Sequence, residues 1–452
     1  MAAVYFWVEI NEMTNFPLLP DMFNNSCPSK VAIRLGMVAL SSVFFTACSS
    51  LLNDHPLTGP QPSSQSRVQK AVNNVRTALE KELGNSVPSL NLYIETPTEK
   101  IFASSVPAGA TPYTENTNFR FASNTKTFTS TAILKMHQDG YLNIHAKISD
   151  NIPGSNIPYV PNTTEWDFPF KNEITIEQLL QHSAGVYDVD NGIVPGTGGL
   201  SYTAYTQGVD STHQFTADEL VKPLVWYKLY SFPPGTGFKY SNTGYTILGY
   251  IIARIYSTKF LTPKTYEDYL RDHIVGGIAP VQLAIHFPVR ADDTKMPDPY
   301  VMGIERNLGK VPKIYKDYNM SAQVAEGNGY SSPASLNTFV RTLMKGQNVL
   351  TSFTVDSLMQ ADIKIDTSNR NHYALGCFFT PNMGFGHNGE RCGTLSLMAY
   401  DPVTDVSVVA FINLVDKSDG KEGQNSTFAK CFTAIYNAAW DGRAALGYPG
   451  RP

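Results

Sequence analysis

Ser123 and Lys126 stand three residues apart in the segment Phe119-Arg120-Phe121-Ala122-Ser123-Asn124-Thr125-Lys126. A serine hydroxyl is a weak nucleophile at neutral pH. An amine one helical turn away on the same face can take its proton, provided burial lowers the amine's own pKa. Two clusters follow, Tyr240-Ser241-Asn242 and His387-Asn388-Gly389. The chemistry to which this set points is acyl transfer through a serine, without a His/Asp relay. Each cluster alone is short enough to recur without meaning. Ser418-Asp419-Gly420-Lys421 repeats the first spacing in a polar stretch that reads as surface. Tyr141-Leu142-Asn143 repeats the Tyr-Xaa-Asn spacing where Leu142 and Ile144 read as packing after a helix ended by Gly140.

The elements around these residues are partly legible. Ser123 reads as the start of a helix with Phe128, Ala132, Ile133 and Met136 on its apolar face, which puts its N–H at the positive end, where an attacked carbonyl gains charge. Tyr240 follows a Pro-Pro-Gly turn and precedes a helix over 243–255 that turns Ile247, Leu248, Ile251 and Ile252 to the core. Val68, Val72, Val75, Leu79 and Leu83 recur at helical spacing before Gly84, and Leu90, Leu92 and Ile94 alternate as a strand. Residues 373–379, 394–400 and 406–413 read as strands and 427–440 as a closing helix. Strand and helix at both ends imply a sheet shared by the two termini, with a mostly helical lobe supplied by the stretch between. Segments 186–230 and 285–326 lack periodicity and are rich in Gly, Pro and aromatics, which marks them as lids or binding loops. No repeat and no zinc-type ligand spacing is present in the sequence, so no metal or cofactor is expected.

The chain has 452 residues, 42% hydrophobic and 16% charged, enough for one large core or two modest ones. Its formal charge of -4 leaves no electrostatic case for nucleic acid. Lys30 and Arg34 precede an uncharged run, 35–47, with the length of a signal-peptide core and too short to span a bilayer as a helix. Residues 1–47 are therefore read as a signal region whose natural start is Met22, and 48–65, rich in Ser, Pro and Gln, as a tether. Ala47-Cys48 resembles the bacterial lipoprotein cleavage box, which implies lipid on Cys48 and a periplasm-facing, membrane-anchored protein, with an outer-membrane address suggested by Ser49. The folded domain is expected over 66–445. Three cysteines remain in it, Cys377, Cys392 and Cys431, an odd number that cannot all pair; they read as buried small hydrophobes.

The motifs in order resemble the serine β-lactamase and penicillin-binding protein superfamily, in its class C β-lactamase, D-Ala-D-Ala carboxypeptidase and esterase branch. The resemblance runs over about 68–440. It rests on the Ser123 flank, on Ile174-Thr175-Ile176-Glu177-Gln178-Leu179-Leu180-Gln181-His182-Ser183-Ala184-Gly185, and above all on the stretch from Phe232-Pro233-Pro234-Gly235 to Tyr240-Ser241-Asn242-Thr243-Gly244-Tyr245. It implies an α+β fold in which an antiparallel sheet flanked by terminal helices lies beside a mostly helical lobe, with the site between. It implies catalytic roles for Ser123, Lys126 and Tyr240, the last as a proton relay, and a hydrogen bond from Asn242 to lysine and substrate. His387-Asn388-Gly389 matches the family's Lys-Thr-Gly box, which implies substrate binding there and an oxyanion-hole N–H from Glu390. Asn388 replaces the hydroxyl residue that helps hold a substrate carboxylate, and Arg391 is read as the substitute anchor, since guanidinium grips carboxylate in two places. The expected function is a serine hydrolase working through an acyl-enzyme on a small molecule, peptide or ester, of D-Ala-D-Ala carboxypeptidase type. The alternatives are a carboxylesterase of the same fold and a catalytically idle protein that binds cell-wall ligands. No Gly-Xaa-Ser-Xaa-Gly elbow supports another esterase mechanism. Self-association is left open.

Overall fold

Leu90, Leu92 and Ile94 alternate with Asn91 and Tyr93, and the computed structural model turns the two sets to opposite faces of one sheet. It describes residues 62–360, 364–365 and 372–452; the expected signal run, Cys48 and nearly all of the tether lie outside the described residues. The strands of the main sheet are β1 (Leu90–Glu95), β2 (Lys100–Ser105), β3 (Lys364–Ile365), β4 (His372–Tyr373), β5 (Phe378–Thr380), β6 (Gly384–Arg391), β7 (Thr394–Asp401) and β8 (Val406–Ile412). Their spatial order is β2-β1-β8-β7-β6-β5-β4-β3, antiparallel throughout. The expected sharing of the sheet by the termini is seen in β1 against β8, with Leu92 opposite Ala410.

Two cores follow from the period of two. On one face Leu90, Leu92, Ile94, Leu397, Val408 and Ala410 pack against the N-terminal helix Ser64–Leu83 and the C-terminal helix Thr427–Ala445. On the other, Tyr93, Met398, Tyr400, Val409 and Phe411 pack against the helical lobe. The N-terminal helix is capped by Ser63, whose hydroxyl accepts from Ser66 N–H, and stops at Gly84 in the left-handed region.

Three expectations need correction. The stretch 373–379 is not one strand: Gly376, at φ 81, breaks it between β4 and β5. The helix expected to present one apolar face, Thr125–Gln138, is buried on every side from Thr125 to Leu134, because the lobe wraps it; its hydroxyls bond distant main chain, Thr127 to Gly376 O at 2.8 Å and Thr129 to Ala325 O at 2.6 Å. Segments 186–230 and 285–326 are not bare loops. The first holds helices Tyr202–Val209 and Ala217–Trp226, and the second holds short strands, among them Ile285–His286 and Gly303–Asn307. Both segments contribute side chains to the centre of the molecule.

Candidate active site

Ser123 sits in a single 3-10 turn, Ala122–Asn124, between the short strand Phe119–Arg120 and the helix Thr125–Gln138. Ala122 holds a φ of 50°, which a side-chain-bearing residue adopts only under constraint. The constraint is visible. The Phe121 carbonyl accepts from Asn124 Nδ2 at 2.7 Å and from Ser396 Oγ at 2.8 Å, and Asn124 Nδ2 also reaches Ser396 Oγ. Strand β6 presses on the turn at Gly389, where a Cβ would collide with the Phe121 carbonyl and stand 2.8 Å from Ser123 N. Only glycine admits that approach.

Lys126 lies one turn on, fully buried, with Nζ 3.3 Å from Ser123 Oγ. The position of Nζ is fixed by three more oxygens: Asn242 Oδ1 at 2.7 Å, the Glu326 carbonyl at 2.7 Å and Glu326 Oε2 at 3.4 Å. Burial pushes the Lys126 pKa down; Glu326, Asp188 and Asp190 pull the other way without cancelling it. Tyr240 flanks the pair, its ring centroid 4.7 Å from Nζ and its phenol hydrogen-bonding Ser123. Desolvation holds that phenol well above its usual pKa, so it is protonated at neutral pH.

Tyr240 is placed by the turn that follows helix Ile176–Leu180. Lys239 N–H donates to the His182 carbonyl at 3.0 Å, Gly235 N–H to Ser183 O at 2.8 Å, and Ser241 N–H to His182 Nδ1 at 3.1 Å. The His182 ring lies 4.2 Å from that of Tyr240, and burial keeps it neutral. Ser241 then caps helix Asn242–Ser257 through Gly244 N–H, so Asn242 enters the site at a helix start.

His387 comes from β6 on the face that looks at Tyr240. Its Nδ1 faces the Asn388 carbonyl at 2.5 Å, which can only accept, so the ring proton is on Nδ1 and Nε2 accepts from Tyr373 O–H at 3.2 Å. Burial, then the charge of Lys126, lowers its pKa to about 3. Both nitrogens are thus used within the protein.

The next residues depart from expectation. Strand alternation turns Asn388 to the opposite face of the sheet, where its Nδ2 donates to Tyr436 O–H on the C-terminal helix at 2.8 Å. This corrects the reading of Asn388 as a cleft-side anchor. Glu390 shares that face, its carboxylate 3.6 Å from Lys417 Nζ, and offers the Ser123 turn its main chain alone. Arg391 returns to the cleft side and forks onto Asp190, Nη2 to Oδ1 at 3.1 Å and Nη1 to Oδ2 at 3.3 Å. Its guanidinium is committed to a buried carboxylate rather than standing ready for a substrate's.

Asp188, Asp190 and Glu326 were not singled out in the sequence. The two aspartates fall in the unpatterned segment 186–230, and Glu326 falls in the glycine-rich turn Ala325-Glu326-Gly327-Asn328-Gly329; neither carries a period that signals burial. The Ser418–Lys421 repeat lies at the surface as expected, Lys421 being exposed, and at the Tyr141 repeat Leu142 and Ile144 are buried as packing, also as expected, with Tyr141 43% exposed. Cys377, Cys392 and Cys431 are free and buried, and burial raises each thiol's pKa.

The sequence model of the Beta-lactamase family matches residues 77–427. The chain belongs to that family. As a beta-lactamase-family protein it has the serine-hydrolase fold of the group. Among solved structures it is similar to the D-amino acid amidase of Ochrobactrum anthropi SV3 complexed with D-phenylalanine, at TM-score 0.63 and 21% identity, over 84% of this chain and 99% of that one. It is similar also to the octameric penicillin-binding protein homologue of Pyrococcus abyssi, at TM-score 0.62 and 19% identity, over 84% and 78%. Among sequences, protein flp of Staphylococcus aureus strain MW2 is 27% identical over 305 residues, 66% of this chain and 53% of that protein. The putative penicillin-binding protein PbpX of Bacillus subtilis strain 168 is 22% identical over 309 residues, 68% and 64%. The chain thus spans about half the length of the flp proteins it matches.

Proposed function

We propose that this protein hydrolyses a carboxylic amide or ester through an acyl-enzyme on Ser123. The observation that carries the reading is Lys126 Nζ, fully buried and 3.3 Å from the Ser123 hydroxyl. As a free amine it takes the Ser123 proton while Oγ adds to the substrate carbonyl. The developing oxyanion would be held by the N–H groups of Ser123, at a helix start, and of Glu390 in β6. Tyr240, protonated and beside the Ser123–Lys126 pair, passes the proton to the leaving group; Asn242 keeps Lys126 aimed. Water then attacks the acyl ester by the same path in reverse.

The substrate class favoured is one whose leaving group carries no carboxylate, such as a D-amino acid amide or a simple ester. The ion pair of Arg391 with Asp190 and the outward amide of Asn388 support this over a D-Ala-D-Ala peptide. The cell-envelope address through lipid on Cys48 remains part of the proposal; labelled fatty acid should enter the wild type in a bacterial host and not Cys48→Ser, and a wild type that takes up none would remove the anchor.

The test of the chemistry is to incubate the full chain with a fluorophosphonate and locate the adduct by mass spectrometry. Ser123 should carry it, and Ser123→Ala should lose both adduct and turnover with its thermal midpoint nearly unchanged. Surviving turnover in Ser123→Ala would refute the mechanism. A neutral D-amino acid amide should turn over faster than an acyl-D-Ala-D-Ala peptide; the reverse order would return the substrate to the carboxypeptidase class.

A further inference from the structure

Three acids lie around Lys126, and they are solvated very differently. Asp188 accepts four hydrogen bonds, from the N–H groups of Asp190, Asn191 and Asn242 and from Asn191 Nδ2, at 2.8 to 3.3 Å. Asp190 accepts from Thr203 Oγ1, Gln323 Nε2 and Asn242 Nδ2 and is forked by Arg391. Glu326 is as deeply buried, yet Oε2 meets only Lys126, at 3.4 Å, and Oε1 meets no donor among the described residues.

We propose that Glu326, as a neutral carboxylic acid, holds the proton of the Lys126–Glu326 pair at neutral pH and so leaves Lys126 as the free amine. The proposal rests on the reading of Lys126 as base to Ser123. A buried carboxylate needs donors on both oxygens, and an ion pair in such a place is favoured only if its remaining lone pairs are satisfied. Glu326 fails that condition. As an acid, Glu326 has no charge to solvate, which is the lesser loss, and the two N–H of the free amine donate to Asn242 Oδ1 and the Glu326 carbonyl, leaving the Nζ lone pair for the Ser123 hydroxyl. Of the groups that face Glu326, the anions Asp188 and Asp190 act in the same sense, Arg391 opposes them although it is engaged by Asp190, and Tyr240 is a protonated phenol. Desolvation, the largest effect, raises the Glu326 pKa to about 8, Lys126 opposing it. Burial holds Asp188 up to about 6, still ionised at neutrality; at Asp190 burial is outweighed by Arg391 and the Thr203 and Gln323 hydrogen bonds.

The balance is one proton moved from Nζ to Oε2, with no net change in charge at the site. Lys126 can then accept the Ser123 proton without first losing one to water. Glu326 is a positioning residue in this scheme, since it touches Lys126 and not the substrate.

The experiment is infrared difference spectroscopy of the full chain, wild type minus Glu326→Gln, over a pH series. The expected result is a carboxylic-acid C=O band at neutral pH, absent from the variant, that is lost as pH rises through about 8. The half-maximal pH of Ser123 labelling should stay in place in Glu326→Gln, because a neutral amide replaces a neutral acid. Carboxylate bands at neutral pH, with labelling shifted about one unit or more to lower pH in the variant, would show a charged pair and overturn the proposal, since removing an anion lowers the lysine pKa. Should Glu326→Gln fail to fold, wild type labelled with [13Cδ]glutamate gives the same answer, because only a glutamic acid band moves with the isotope. If Ser123 is never labelled, the hydrolase reading falls while the infrared band still decides where the proton resides.

Discussion

Lys126 is enclosed so completely that its protonation is set by neighbours rather than by water. The Asn242 amide oxygen and the Glu326 carbonyl hold Nζ at Ser123, and Asn242 serves that purpose only because its own Nδ2 is anchored on Asp190 at 3.0 Å. An arginine at 126 carries a positive charge and cannot give up its proton at any working pH. Lys126→Arg is therefore expected to lower the rate of Ser123 labelling by about 100-fold or more, the range for loss of a general base. Labelling rates over a pH series check this, and a near-normal rate in the arginine variant would take Lys126 out of the base role. His387, proton on Nδ1 and both nitrogens engaged within the protein, has no nitrogen left for the substrate contact that its place in the box implied.

At the scale of elements, the contact that matters is β6 against the Ala122–Asn124 turn. Gly389 allows the strand to touch the backbone of the nucleophile, and this closeness is what would bring the Ser123 and Glu390 N–H groups to one carbonyl oxygen. Gly389→Ala must drive strand and turn apart, because the added Cβ meets backbone rather than a side chain that can yield. Overpacking of this kind costs about 1–3 kcal/mol of stability. The rate should suffer more, by about 100-fold, the usual cost of one oxyanion donor. Thermal melting and turnover measured on the same sample separate the two; equal turnover in Gly389→Ala would mean that β6 does not shape the oxyanion site. The same strand explains the error over Asn388: in a period of two, neighbours in a box cannot both face the cleft.

Over the whole molecule, chemistry and stability are carried by different faces of one sheet. The helices at the two chain ends pack on the face away from Ser123, and a buried ion pair fastens the last helix there: Arg443 Nη2 donates to Asp401 Oδ2 at 2.8 Å, with Arg443 fully buried. Removing one partner leaves a carboxylate without its counter-charge in the interior. Arg443→Ala is expected to lower the unfolding free energy by about 3 kcal/mol in a denaturant titration. Labelling of Ser123 per folded molecule should not change. A large loss of labelling without loss of stability would mean that the two faces are coupled. Among the described residues no helix is long and apolar enough to cross a membrane.

The sequence by itself determined what depends on short-range order. The Ser123–Lys126 spacing, the apolar period of helix Asn242–Ser257, and the alternation of β1 are local patterns, and a helix or strand converts each directly into a shared face. The sharing of one sheet by the two termini was legible too, since both ends of the chain carry strand and helix patterns that one sheet satisfies; the pairing of β1 with β8 was not. What only the tertiary structure decided is the electrostatic surround of Lys126. Asp188 and Asp190, Glu326, and Arg391 come from three separate segments, the first two without period, and whether each group is solvated, paired or bare depends on donors brought together across up to 201 residues of chain. Burial makes those partnerships decisive: in water four such charges would be ordinary surface, and in the interior their hydrogen bonds decide which group keeps a proton.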